Sequence, residues 1–79
     1  MLNKKELLDR IVIDQNVMVG KPVIKGTRLT VQLILGLFAQ GMSFEDIFSN
    51  YPGLTKEDIY ACFLFATKTL DDVTFAPLF

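Results

Sequence analysis

The chain has 79 residues, 51% of them apolar, with a formal net charge of −1, one cysteine and no histidine. That length makes one domain with a small core. The lone cysteine excludes a disulfide framework, and a structural zinc lacks its Cys and His ligands, so a partner is the remaining staple and a homodimer is expected. Bulk charge excludes a polycation that coats nucleic acid. Residues 1–28 nevertheless carry +3 and residues 29–79 carry −4, which places any anion-facing surface in the first third.

The chain opens Met1-Leu2-Asn3-Lys4-Lys5 with no long apolar stretch, so no signal peptide is expected. Its longest charge-free run, Leu29 to Phe44, is broken by Thr30, Gln32, Gly36, Gln40, Gly41 and Ser43. It falls short of the roughly 18 continuous apolar residues of a membrane span. With a single free thiol, the expected location is the cytoplasm.

Residues 2–9 read as a short helix. Ile11-Val12-Ile13 is β-branched and ends at the turn-forming Asp14-Gln15-Asn16, and Val17-Met18-Val19 reads as a brief extension before Gly20. Pro22 opens a second short strand through Val23 and Ile24, where its missing N–H does least harm. Lys25-Gly26 ends it, and the two strands are expected to pair. Three helices follow. Leu29-Thr30…Ile34, Met42-Ser43…Ile47 and Leu54-Thr55…Ile59 each set a hydroxyl N-cap between apolar residues spaced to staple across it. Asp46 and Asp58 complete capping boxes with Ser43 and Thr55. Gly41 stops the first helix and Pro52-Gly53 the second, giving helices over 31–40, 44–50 and 56–70.

The fold class is therefore mainly α: a three-helix, helix-turn-helix unit preceded by a short N-terminal helix and a small β element. It is one domain, 1–79, divided into an N-terminal helix 1–10, a β element and basic turn 11–28, a tri-helical unit 30–70 and an apolar tail 71–79. In the helix over 31–40, Gln32, Gly36 and Gln40 form one thin polar stripe, so this helix is expected at the centre. Gly36 there costs about 1 kcal/mol of helix propensity relative to alanine, which close approach by a neighbouring element would offset. The helix over 56–70 has two apolar faces, one of Ile59, Cys62, Phe63, Ala66 and Leu70, the other of Tyr60, Ala61, Leu64 and Phe65. The second face, with Val73, Phe75, Leu78 and Phe79 of the tail, is the expected partner or dimer interface.

Catalysis finds no footing. There is no histidine base, Cys62 lies inside an apolar helical run, and the acidic pairs 45–46, 57–58 and 71–72 are sequence neighbours that diverge by about 100° on a helix. No enzyme, metal or cofactor is expected. The stretch Gly20-Lys-Pro-Val-Ile-Lys-Gly-Thr-Arg28 joins a strand, a glycine turn and the Thr30-capped helix, with three cations. Lys21, Lys25, Thr27 and Arg28, with the free N–H groups of the helix start, could hold a nucleic-acid phosphate. Alternatively, Thr27 and Arg28 brace the turn while the lysines stay solvated. The helices over 44–50 and 56–70 match the plan of helix-turn-helix DNA readers, and Lys56 stands at the start of the reading helix. Glu57 and Asp58 beside it suit a polyanion poorly, so a tri-helix used for dimerisation competes with DNA binding.

That glycine-lysine-proline string, with Gly41-Met42-Ser43, Tyr51-Pro52 and Leu54-Thr55-Lys56-Glu57-Asp58-Ile59, resembles bacterial domain-of-unknown-function family 433 over about residues 11–67. Its signature residues are Gly26, Thr27 and Arg28, while Gly20 and Pro22 belong, with Gly26, Thr30, Gly41, Ser43 and Thr55, to the structural motif. The resemblance implies a homeodomain-like helix-turn-helix behind a small β element. It also implies an antitoxin paired with a PIN-type ribonuclease toxin and binding its own operator DNA. The tail 73–79 lies outside it.

Overall fold

The computed structural model describes residues 3–71. Helix α1 (Lys4–Leu8) starts at Asn3, whose side chain accepts the Lys5 N–H at 2.8 Å. Strands β1 (Ile11–Val12) and β2 (Val23–Ile24) pair antiparallel, Ile11 opposite Ile24 and Val12 opposite Val23. The second strand is also held from its other side, by the Ile24 N–H to the Leu29 carbonyl at 3.0 Å and the Val31 N–H to the Pro22 carbonyl at 3.0 Å. A ribbon of two-residue strands is thus tied into the start of α2 (Val31–Ala39).

Helices α2, α3 (Phe44–Asn50) and α4 (Lys56–Leu70) begin at Thr30, Ser43 and Thr55. Each hydroxyl accepts the N–H three residues on, and both capping boxes form, the Asp46 and Asp58 carboxylates accepting the Ser43 and Thr55 N–H groups at 3.0 Å. Caps of this kind contribute about 1 kcal/mol each. The expected staple residues Leu29, Met42 and Leu54 pack half-buried against the cluster that holds Ile34, Ile47 and Ile59. At the end of α2, Gly41 adopts φ +99°. The Met42 N–H reaches the Leu37 carbonyl at 3.1 Å and the Gly41 N–H reaches the Phe38 carbonyl at 2.9 Å, the paired bonds of a Schellman stop.

Ile24, Val31, Ile34, Ile47, Ile59 and Cys62 form the core. Each fully buried isoleucine contributes about 1.5–3 kcal/mol. The centre of this core is α4, not α2. Asp58, Ile59, Ala61 and Cys62 of α4 are buried, against Val31 and Ile34 of α2, because α4 also receives α1 and β1. The expected close approach at Gly36 is absent: a methyl built there meets nothing within 4 Å.

The Val17–Val19 segment does not extend. Met18–Gly20 winds one short 3₁₀ turn with φ values of +49°, +56° and +77°. Left-handed backbone costs a residue with a Cβ about 1–2 kcal/mol, and a β-branched residue such as Val19 is a steric outlier there. Gly20 needs the conformation and the space, since an added methyl would lie 2.9 Å from the Gln15 side-chain nitrogen.

Candidate functional site

Two surfaces gather the candidate side chains. The first surrounds the turn after β2. Gly26 turns at φ +80°, the Thr27 hydroxyl donates to the Ile24 carbonyl at 2.8 Å and accepts the Leu29 N–H at 3.0 Å. Thr27 is therefore a brace for the turn. The N–H groups expected to receive an anion at the start of α2 are largely committed as well, Val31 to the Pro22 carbonyl and Leu33 to the Thr30 hydroxyl. An anion held here therefore relies mainly on side chains. Lys21, Lys25 and Arg28 are exposed, and none of them joins an ion pair among the described residues. Arg28, Gly26 and Thr27 share a shallow concavity of about 450 Å³ with Asp14 and Val17. Asp14 directs its carboxylate to the Asn16 N–H at 2.9 Å. Lys56 is exposed at the first position of α4.

Arg10 does not belong to this basic surface. Its guanidinium donates to Asp58 at 3.0 Å across 48 residues of sequence. Asp58 is buried, and its two oxygens serve two donors, the Thr55 N–H and Arg10. The acid that looked unfavourable at the start of a DNA-reading helix faces inward and joins the segment after α1 to α4.

The second surface lies on the outer side of the helices. Phe38 of α2 stacks edge-on to Phe44 of α3 at 5.2 Å and tilts against Phe63 of α4 at 5.3 Å. Phe44 also meets Phe48 and Tyr60, both at 6.1 Å. Tyr60 and Phe63 remain 37% and 39% exposed, so a connected aromatic layer reaches solvent. Sequence reasoning divided these side chains differently. Phe63 stands outside with Tyr60, one helical turn along the same face. Ala61, expected at a partner interface, is wholly buried because the 61–62 side of α4 turns to the core. Leu64 is half-buried, and Phe65 packs against the core. Val73, Phe75, Leu78 and Phe79 lie outside the described residues. The aromatic layer was missed as a unit. Its signals were the four-residue spacing of Phe44 and Phe48 and the three-residue spacing of Tyr60 and Phe63.

Cys62 lies in the core, apart from both surfaces. Burial, with Asp58 adding to it, pushes the Cys62 thiol up to about 12, where it is inert packing. Among the described residues no group of three His, Cys, Asp or Glu side chains could hold a metal ion, and no helix is long and apolar enough to cross a membrane.

The family model described as "Protein of unknown function (DUF433)" matches residues 11–66. Those bounds take in both surfaces and leave out α1. A crystal structure of a DUF433 member from Anabaena variabilis superimposes with a TM-score of 0.75 at 30% identity. The match covers 85% of this chain and 66% of that one, so the chain spans slightly less than two thirds of that protein's length. An uncharacterized protein of Archaeoglobus fulgidus is 67% identical over 24 residues, 30% of this chain and 67% of the relative.

Proposed function

The chain belongs to the DUF433 family, and from that premise we propose that it is a dimeric, antitoxin-like regulator. Its aromatic face takes a PIN-type ribonuclease partner, and its basic turn touches the phosphates of operator DNA. The carrying observation is the aromatic layer: Tyr60 and Phe63 extend a five-ring cluster to solvent at the centre of one helical face. Aromatic side chains in that setting are the usual anchors of protein interfaces. The operator half draws support from Lys21, Lys25 and Arg28, exposed within eight residues of chain and without ion pairs among the described residues.

Coexpression with a PIN-type nuclease, sought first among the neighbouring genes, tests the protein half. Wild-type chain is expected to co-purify with the nuclease and silence it, and Phe63→Glu to lose both while keeping its thermal midpoint. A Phe63→Glu chain that still silences the nuclease would move the contact elsewhere.

A second reading, a protein-interaction module that never meets DNA, is favoured by one observation. On a helix-turn-helix reader the outer face of α4 would meet base edges. Here that face presents Tyr60, Phe63 and half-buried Leu64, which offer little hydrogen bonding to bases. Duplex binding across a salt series separates the two readings. Absence of binding at low salt selects the module.

A further inference from the structure

The connection between β1 and β2 is the one stretch of the described chain where local conformation and side-chain chemistry disagree. Met18 and Val19 take left-handed backbone although neither is glycine, asparagine or aspartate. Such conformations persist where the surroundings dictate them, and they gather at functional segments. Among the described residues no packing rewards the arrangement. Val19 is 86% exposed, and Ile13 and Met18 are exposed with it. The turn itself is tightly specified: the Gly20 N–H bonds the Val17 carbonyl at 3.2 Å, the Lys21 N–H bonds the Met18 carbonyl at 3.2 Å, and Gln15 packs against Gly20. Among the described residues the turn thus leaves an apolar tip in water.

The charge beside that tip points to its occupant. Lys21 follows the turn directly. Arg28 lines the same concavity as Val17, and Lys25 is exposed at the other end of β2. The nearby acid, Asp14, is turned toward its own backbone by the Asn16 N–H. Cations beside an exposed apolar wedge match duplex DNA, whose phosphates take the cations and whose minor groove admits apolar side chains that part a base step. The outer face of α4 is aromatic and offers bases little hydrogen bonding, which favours the ribbon over that helix as the element that meets a duplex.

We propose that the β1–β2 connection is the DNA-contacting element of this protein, with Met18 and Val19 entering the minor groove while Lys21, Lys25 and Arg28 hold the flanking phosphates. The proposal rests on the operator half of the function above and relocates the contact from helix to ribbon.

Fluorescence anisotropy with a duplex from the protein's own upstream region, titrated over a range of salt concentrations, tests it. Val19→Asn keeps a residue that tolerates left-handed backbone and removes the apolar tip. It is expected to weaken duplex binding about tenfold, with the thermal midpoint kept or raised and the salt slope unchanged, because an apolar contact releases no counterions. Lys21→Ala is expected to reduce the slope by about 1. Val19→Asn binding within twofold of wild type, while Lys21→Ala weakens it, would overturn the wedge and leave operator binding standing. A parallel fall in midpoint and affinity would assign Val19 a structural role and overturn the proposal. So would a Val19→Asn chain that loses the nuclease but keeps the duplex, since the tip would then face protein. Absence of duplex binding by wild-type chain at low salt would reject the operator reading itself.

Discussion

From Thr30 to Leu70 the backbone follows its residues: hydroxyls start the helices, Gly41 stops the first, and isoleucines at the stapling positions enter one core. From Ile13 to Lys21 the backbone opposes its residues, setting Met18 and Val19 left-handed and leaving Ile13 and Val19 in water. Agreement across levels makes a stable, single-valued fold. The disagreement lies beside the exposed cations Lys21, Lys25 and Arg28. The helices and strand β2, through Val23 and Ile24, build the core, and the connection that precedes β2 bears apolar side chains that the core does not use. Strain in the second region survives because the first is over-determined.

The largest expected effect tests whether stability is divided that way. Ile34 is fully buried at the centre of the cluster. Ile34→Ala is expected to cost about 3 kcal/mol, within the usual range for such truncations. In a domain this small, that removes most of the stability. Ile13→Ala, made at an exposed loop position, is expected to stay within about 0.5 kcal/mol of wild type. Urea denaturation reads both. A comparable loss at Ile13 would show that the loop is a working part of the core and would end the contrast.

A smaller effect is expected where the two regions meet. Asp58 caps α4 through Thr55 and accepts Arg10 at 3.0 Å. Asp58→Ala removes the carboxylate that accepts the Thr55 N–H, a hydrogen bond worth about 1 kcal/mol, while the Thr55 hydroxyl keeps its bond to the backbone of residue 58, and it strands Arg10. A total near 2 kcal/mol is expected, with the Arg10 contribution held to about 1 kcal/mol or less because that side chain is 43% exposed. A double-mutant cycle with Arg10→Ala isolates the pair. Zero coupling energy would mean that α1 and β1 are held to α4 by packing alone.

These same residues show what the sequence could and could not reveal. The starts of the helices were legible because a cap is a local device, complete within four residues, and Ser43 with Asp46 or Thr55 with Asp58 states it in full. The sign of Asp58's role was not. Whether a first-turn acid faces solvent or core depends on Arg10, 48 residues away, and no spacing rule spans that distance. The apolar faces of α4 were misdivided for a related reason. In a run as uniformly apolar as Ile59 to Ala66, periodicity carries no phase, so Ala61 and Phe63 exchanged sides. The left-handed turn was hidden because Met18 and Val19 are poor at it, and sequence preference reports only what residues do willingly. The cations at Lys21, Lys25 and Arg28 were found because exposed charge follows directly from composition and turn chemistry. The aromatic layer needed three helices to be placed before its rings could meet.

The finest test uses one substitution in both regions. Gly36 has ordinary helical backbone, and an added methyl meets nothing within 4 Å. Gly36→Ala is therefore expected to stabilise the isolated chain by about 1 kcal/mol through helix propensity. Gly20 has φ +77°, and its added methyl would press on the Gln15 side chain at 2.9 Å. Gly20→Ala is expected to destabilise by about 1–2 kcal/mol, the cost of left-handed backbone for a residue with a Cβ. Opposite signs from one chemical change would locate the strain in the β element and the slack in α2. Gly36→Ala also bears on the proposed dimer. A variant that gains stability while its sedimentation stays dimeric keeps α2 out of the subunit contact. One that becomes monomeric instead would show that the open space over Gly36 is filled by the second copy, and the missing helix propensity would then be offset between chains.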